Sequence, residues 1–135
     1  RHLLPKLLFL LFIADILSVK GYQELSHLQI TLDYQWDDVD FDKTKEDIIF
    51  RVIQESVTNS LRHGQASQVT ITMLNQGDYV LIIQDNGIGS SDIQYGFGLT
   101  QMTERLAIIG GCVAFSGEDG FSTLVHIPKV KGEEA

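Results

Sequence analysis

Between residues 44 and 64 apolar side chains recur every three or four positions, at Ile48, Ile49, Val52, Ile53, Val57 and Leu61. Residues at that spacing share one side of an α-helix, which turns once in about 3.6 residues. Thr44 followed three residues later by Asp47 has the pattern of a capping box, and Gly64 supplies a natural C-terminal stop. The prediction is an amphipathic helix of about five turns. Its apolar stripe must be buried, so the chain has to supply a second layer.

The flanking sequence supplies strands. From His27 to Tyr34, Leu28, Ile30 and Leu32 alternate with His27, Gln29, Thr31 and Asp33, the period of a half-buried strand. Downstream, Val69, Ile71 and Met73 alternate with threonines, and a second run extends from Tyr79 to Ile83. The turn residues Asn75, Gln76, Gly77 and Asp78 between them predict an antiparallel hairpin. Leu99, Met102, Leu106 and Ile109 mark a short helix closed by Gly110 and Gly111. Cys112 to Ser116 and Phe121 to Ile127 read as a second hairpin, turning through Gly117, Glu118, Asp119 and Gly120. From Asp85 to Gly98 the glycines at 87, 89, 96 and 98 and the scarcity of large apolar residues predict a mobile loop.

At the start, Leu4, Leu7, Leu8, Leu11, Phe12 and Asp15 also recur at helical spacing. Phe9, Leu10 and Ile13 make that segment apolar nearly all round, so it reads as a helix covered on more than one side and ended by Gly21. Pro5, Lys6 and Asp15, and a length short of about 20 clean apolar residues, argue against a membrane span. The predicted class is α+β, a two-layer α/β sandwich whose mixed, mostly antiparallel sheet is covered on one face by helices. Residues 1–24 form the incoming helix, 25–130 the domain and 131–135 a disordered tail.

Composition narrows the function. A chain of 135 residues, 44% of them hydrophobic, suits one domain with a real core. A net charge of −8 excludes a general nucleic-acid binder, which needs a basic face. Asp33, Asp37, Asp38, Asp40, Asp42, Glu46 and Asp47 crowd one stretch, relieved by Lys43 and Lys45; without the ordered spacing of a calcium loop they read as a solvated loop and helix start. The single cysteine, Cys112, lies in an apolar stretch, reads as a small core residue and suits a reducing compartment. Arg1 in place of a methionine and the lack of a signal peptide read as a fragment of a longer protein.

Three features carry chemistry. Glu55 and Asn59 stand one turn apart on the long helix, and Arg62 and His63 extend that polar file. Asp85-Asn86-Gly87-Ile88-Gly89 follows an apolar strand directly. A carboxylate there can accept a hydrogen bond from an exocyclic amine, and the glycines let the backbone approach a flat ligand. Gly96-Phe97-Gly98-Leu99 leads into a helix whose free amides favour an anion. Each has a plainer explanation alone: a solvated helix face, a simple turn, or glycines before a helix.

In this order, with a hairpin between the first two, the motifs resemble the N box and the two glycine boxes of the GHKL ATPase superfamily. That superfamily, with its Bergerat ATP-binding fold, covers gyrase, the heat-shock chaperone ATPases, mismatch-repair ATPases and histidine kinases. The stretches from Gln54 to His63 and from Gly96 to Leu106 are similar to sensor kinases related to nitrate, membrane-fluidity and cell-wall-stress sensors. The resemblance spans about residues 25 to 128.

The resemblance implies an ATP site between the long helix and the loop. Asn59 would hold Mg²⁺, and Glu55 would orient or deprotonate a water or nucleophile. Asp85 would read the adenine amine beside Gly87, Ile88 and Gly89; Gly96, Phe97, Gly98 and Leu99 would belong to a lid over the phosphates. Arg62 and His63 would contact phosphate, and Glu104 and Arg105 would hold the short helix in place. Where the family often has a Gly-Thr pair opening the last strand, this chain has Gly120-Phe121, so Thr123 or Ser122 would have to substitute.

The implied whole is a cytoplasmic domain of a membrane-bound sensor in a two-component system. Its partners would be ATP, the dimerisation helices of the same protein carrying the phosphoacceptor histidine, and a response regulator. His2 precedes a proline-containing stretch, His27 and His126 fall in strands and His63 on the nucleotide face, so none fits the phosphoacceptor. The expectation is Mg-ATP binding without autophosphorylation of this fragment. An anti-sigma-factor serine kinase and a degenerate interaction module remain the alternatives.

Overall fold

The computed structural model describes residues 29–36, 41–62, 65–89 and 98–129, apart from the side chains of Leu61 and Arg62. The expected helix over 1–24 and the tail at 131–135 lie outside these residues.

Strand β1 (Gln29–Tyr34) runs parallel to β2 (Gln68–Gln76), and β2 pairs antiparallel with β3 (Asp78–Asp85). Strand β5 (Ser122–Ile127) pairs antiparallel with both β3 and β4 (Cys112–Ser116), so the sheet order is β1-β2-β3-β5-β4. Two helices, α1 (Lys43–Arg62) and α2 (Leu99–Ile108), cross over between strands. The predicted mixed, mostly antiparallel sheet is therefore present.

Strand alternation builds the core. Val69, Ile71 and Met73 on β2, Tyr79, Leu81 and Ile83 on β3, and Val125 and Ile127 on β5 are buried, while the residues between them are more open. Ile48, Ile49, Val52, Ile53 and Val57 of α1 and Leu99, Met102 and Leu106 of α2 belong to the same buried cluster. Each such side chain contributes about 1.5–3 kcal/mol when fully buried, and this is what holds a helix of mixed propensity against the sheet.

Two local expectations are corrected. The helix cap is Asp42 rather than Thr44: Asp42 Oδ1 accepts a hydrogen bond from Lys45 N at 2.9 Å, so α1 begins at Lys43. Cys112 is exposed rather than in the core. It opens β4 on the sheet face away from the helices, opposite His126, and strand parity decides this because Val113 takes the inward position opposite Val125. Gly110 and Gly111 do close α2: Gly110 N donates to Ala107 O at 3.1 Å and Gly111 N to Leu106 O at 2.8 Å, with Gly110 at φ +76°. That is the paired bonding of a Schellman motif, which a left-handed glycine permits.

An aromatic plug marks one end of the sheet. Trp36, Phe41 and Tyr79 meet edge to face with ring centroids 5.0–5.7 Å apart, and Trp36 Nε1 donates to Leu74 O at 2.8 Å. Tyr79 stands near the start of β3 and Asp85 at its end, a separation of about 20 Å along the strand. The polar constellation thus lies at the opposite end from the plug. No helix among the described residues is long and apolar enough to cross a membrane.

Candidate functional site

Asp85 ends β3 on the side facing α1 and is almost fully buried. A carboxylate taken out of water needs donors around it. Ser60 on α1 donates its hydroxyl to Asp85 Oδ2 at 2.6 Å, while Gly87 N and Phe121 N both donate to Asp85 Oδ1 at 2.9 Å. One side chain therefore ties together the long helix, the glycine segment and the start of β5. Asp85 N also donates to Phe121 O at 3.0 Å. In this chain Phe121 stands where the resembling family often carries threonine, and its backbone amide is what reaches the carboxylate.

Glycines make that convergence possible. A Cβ on Gly120 would stand 2.1 Å from Asp85 O, and one on Gly89 would stand 2.3 Å from Gly117 O and 2.7 Å from Gly120 O. Both residues have φ +68°, a region L-residues avoid. Gly89 thus seats the Asp85–Gly89 segment against the β4–β5 turn. Asn86 anchors the same segment from the other side: its Oδ1 accepts from Ser67 N and Gln68 N, both at 2.9 Å, and its Nδ2 donates to Ser67 Oγ at 2.9 Å. Ile88, in contrast, is exposed.

The second wall is α1. Glu55 and Asn59 stand one turn apart on it, both partly exposed, and Ser56 and Ser60 lie beside them, both buried. Glu55 Oε1 is paired with the guanidinium of Arg105 on α2 at 2.5 Å. Glu55 Oε2 is buried, and among the described residues it is the one buried side-chain oxygen with no hydrogen-bond partner. Gly98, the left-handed N-cap of α2 at φ +80°, sits on it: a Cβ there would lie 3.3 Å from Oε2. Leu99 is buried under the same helix start.

The structure brings Asp85, Gly87 and Gly89 together at the end of β3, joins Asp85 to α1 through Ser60 and Glu55 to α2 through Arg105, and sets Gly98 on Glu55. Thr123 is buried on the helix-facing side of β5 opposite Ile83. His63, Gly96 and Phe97, and the side chain of Arg62, lie outside the described residues. Of the pair expected to hold the short helix, Arg105 makes its contact to α1, whereas Glu104 is exposed. Ser60 was missed in the sequence, although a signal existed: Ser56 and Ser60 are four apart, wedged between the apolar stripe and the polar file. Nothing local announced the Phe121 amide or the Gly120 contact.

Residues 44–131 match the family described as histidine kinase-, DNA gyrase B- and HSP90-like ATPase, and the chain belongs to that family. Sensor protein VraS of Staphylococcus haemolyticus is 44% identical over 69 residues, which are 48% of this chain and 20% of that protein. The signal transduction histidine-protein kinase/phosphatase UhpB of Salmonella typhimurium is 35% identical over 101 residues, 73% of this chain and 20% of that protein. The chain therefore spans about a fifth of the curated relatives it matches. Among solved structures, the Acinetobacter baumannii histidine kinase AdeS superposes with a TM-score of 0.71 at 19% identity, over 89% of this chain and 64% of that one, a likeness of fold.

Proposed function

We propose that this chain is the ATP-binding catalytic domain of a sensor histidine kinase, which in the whole protein transfers the γ-phosphoryl group of ATP to a histidine on a separate dimerisation domain. The observation that carries the reading is the pair of walls: Glu55 and Asn59 on α1, and Asp85 on β3, joined to α1 by the 2.6 Å bond from Ser60. The family membership and the likeness to two sensor kinases support it.

In this reading Asp85 offers a carboxylate to the exocyclic amine of adenine, held in place by two backbone amides and a serine hydroxyl. Glu55 orients or deprotonates the attacking group with its unpartnered oxygen, which is where a donor is wanted. Mg²⁺ fits the hard oxygen donor of Asn59 with few other protein ligands, and when bound it neutralises charge on the phosphates. Arg62 and His63 are the proposed contacts to phosphate, and Gly96 to Leu99 the proposed lid. The rest of catalysis is positioning, which suits phosphoryl transfer.

The finer assignment is to the nitrate, membrane-fluidity and cell-wall-stress group of sensors, as a cytoplasmic domain of a membrane-bound protein that hands its phosphoryl group to a response regulator. Calorimetric titration with Mg-ATP tests the binding step. Saturable heat is expected, and no heat sinks the reading in favour of a degenerate interaction module. Labelled ATP should leave no acid-labile label on this chain by itself; the histidine among the described residues, His126, sits on a strand and is bonded to Asp78.

A further inference from the structure

The environment of Glu55 is asymmetric in a way that the motif alone does not require. One oxygen is saturated by the guanidinium of Arg105, which comes from α2, fifty residues downstream. The other oxygen is buried with no hydrogen-bond partner among the described residues and lies under Gly98. A buried acceptor left unmade costs about 1–3 kcal/mol, and more when the group is charged, so a carboxylate with a free choice would turn that oxygen to water or share both with the cation. Here it does neither. Arg105 takes Oε1 from the α2 side, and Gly98 leaves just enough room for Oε2 where any side chain would press on it at 3.3 Å. Both side chains of the pair are about three-quarters covered, at 28% and 26% exposure, so the pair is set by packing rather than by solvent.

The two groups also sit on elements that have anchors besides this pair. Glu55 belongs to α1, whose neighbouring Ser60 is tied to Asp85. Arg105 lies in the last turn of α2, one residue before the fully buried Leu106 and three after Met102, whose Sδ receives the Ser56 hydroxyl at 3.9 Å. The guanidinium is therefore delivered by a helix locked at both ends: by Gly98 and Leu99 at its start and by the glycine cap at its end.

We propose that Arg105 is a positioning residue of the site: by binding one oxygen of Glu55 it fixes the rotamer of that carboxylate and the direction in which its other oxygen faces. This rests on the reading of the chain as the catalytic domain of a histidine kinase. Arginine suits the task better than lysine because its rigid planar fork fixes direction as well as charge. Arg105 does not touch nucleotide in this account; it acts through Glu55.

The test uses the full-length protein, measuring transfer of γ-phosphoryl label from ATP to its own histidine alongside calorimetric ATP binding. Arg105→Ala should lower kcat roughly 10–100-fold, the scale of a misplaced catalytic group, while KM and the ATP Kd stay within about threefold. Arg105→Lys should recover part of the loss. Glu55→Gln should lose at least as much as Arg105→Ala, and the double variant no more than Glu55→Gln alone, because both changes remove one function. A melting temperature for each variant separates positioning from unfolding. If the wild type transfers label and Arg105→Ala matches it, or loses KM and kcat together without rescue by lysine, the role of Arg105 is overturned while the kinase reading stands. If the double variant loses the product of the two single effects, the coupling is overturned. A wild type that binds ATP but transfers no label overturns the kinase reading, and with it this role.

Discussion

Replacing Asp85 separates what the carboxylate does for the fold from what it does for a nucleotide. In Asp85→Ala, the amides of Gly87 and Phe121 lose their acceptor in a buried site, at about 1–3 kcal/mol each, so roughly 2–6 kcal/mol disappears from a domain whose whole stability is of order 5–15. That variant should lose a large share of its stability. Asp85→Asn is gentler. Its remaining oxygen can keep both backbone amides, and the Ser60 hydroxyl can turn to accept from the new amide group because the Ser56 carbonyl is 3.1 Å away as an alternative acceptor. The expected stability loss is about 1 kcal/mol, a fall of roughly 4–8 °C in melting temperature. For binding, the amide presents a donor where the adenine amine also brings one. Losing a hydrogen bond to a charged group costs about 1.5–3 kcal/mol, so affinity should drop by roughly tenfold to a hundredfold. Circular-dichroism melts and calorimetric titration with Mg-ATP, run on both variants and the wild type, read the two effects apart. An Asp85→Asn protein that binds ATP like the wild type would refute the adenine role. An Asp85→Ala protein that melts like the wild type would refute the structural account.

Asn59→Ala should abolish magnesium-dependent ATP binding with the melting temperature nearly unchanged, and a variant whose ATP affinity in magnesium equals that of the wild type would remove that assignment. Gly77 and Gly120 form a matched pair: both have positive φ, but a Cβ on Gly77 meets nothing within 4 Å whereas one on Gly120 meets the Asp85 backbone. Gly77→Ala should therefore cost about 1–2 kcal/mol and Gly120→Ala roughly 2–5 in urea unfolding, and equal losses would show that the clash is relieved at little cost. Asp42→Ala should cost about 1 kcal/mol through the lost cap, where Thr44→Ala costs less; the reverse order would restore Thr44 as the cap.

Helix and strand identities were legible in the sequence because they depend on period, and period is local: the stripe from Ile48 to Leu61, the alternation of Val69, Ile71 and Met73, and the glycine pair after α2 all have near neighbours that determine them. The motif clusters could be picked out for the same reason, as each is a short run of particular residue types, although Gly96 and Phe97 of the third lie outside the described residues. Boundaries were less secure. The Thr44 pattern misled because Asp42, two residues earlier, offers a better acceptor, and Cys112 misled because one residue of register moves a side chain from one sheet face to the other.

What the chain order alone determined, then, is the set of elements, the two-layer architecture that buries their apolar faces, and the residue types available for nucleotide chemistry. What only the folded chain decided is who meets whom: Asp85 with Ser60 and with the Phe121 amide, Glu55 with Arg105, and Gly89 and Gly120 with backbone that admits no Cβ. Those contacts join residues 25, 36 and 50 positions apart in the first three cases. Long-range partners are chosen by strand order and helix packing, which depend on the whole core at once, so no window of sequence carries them.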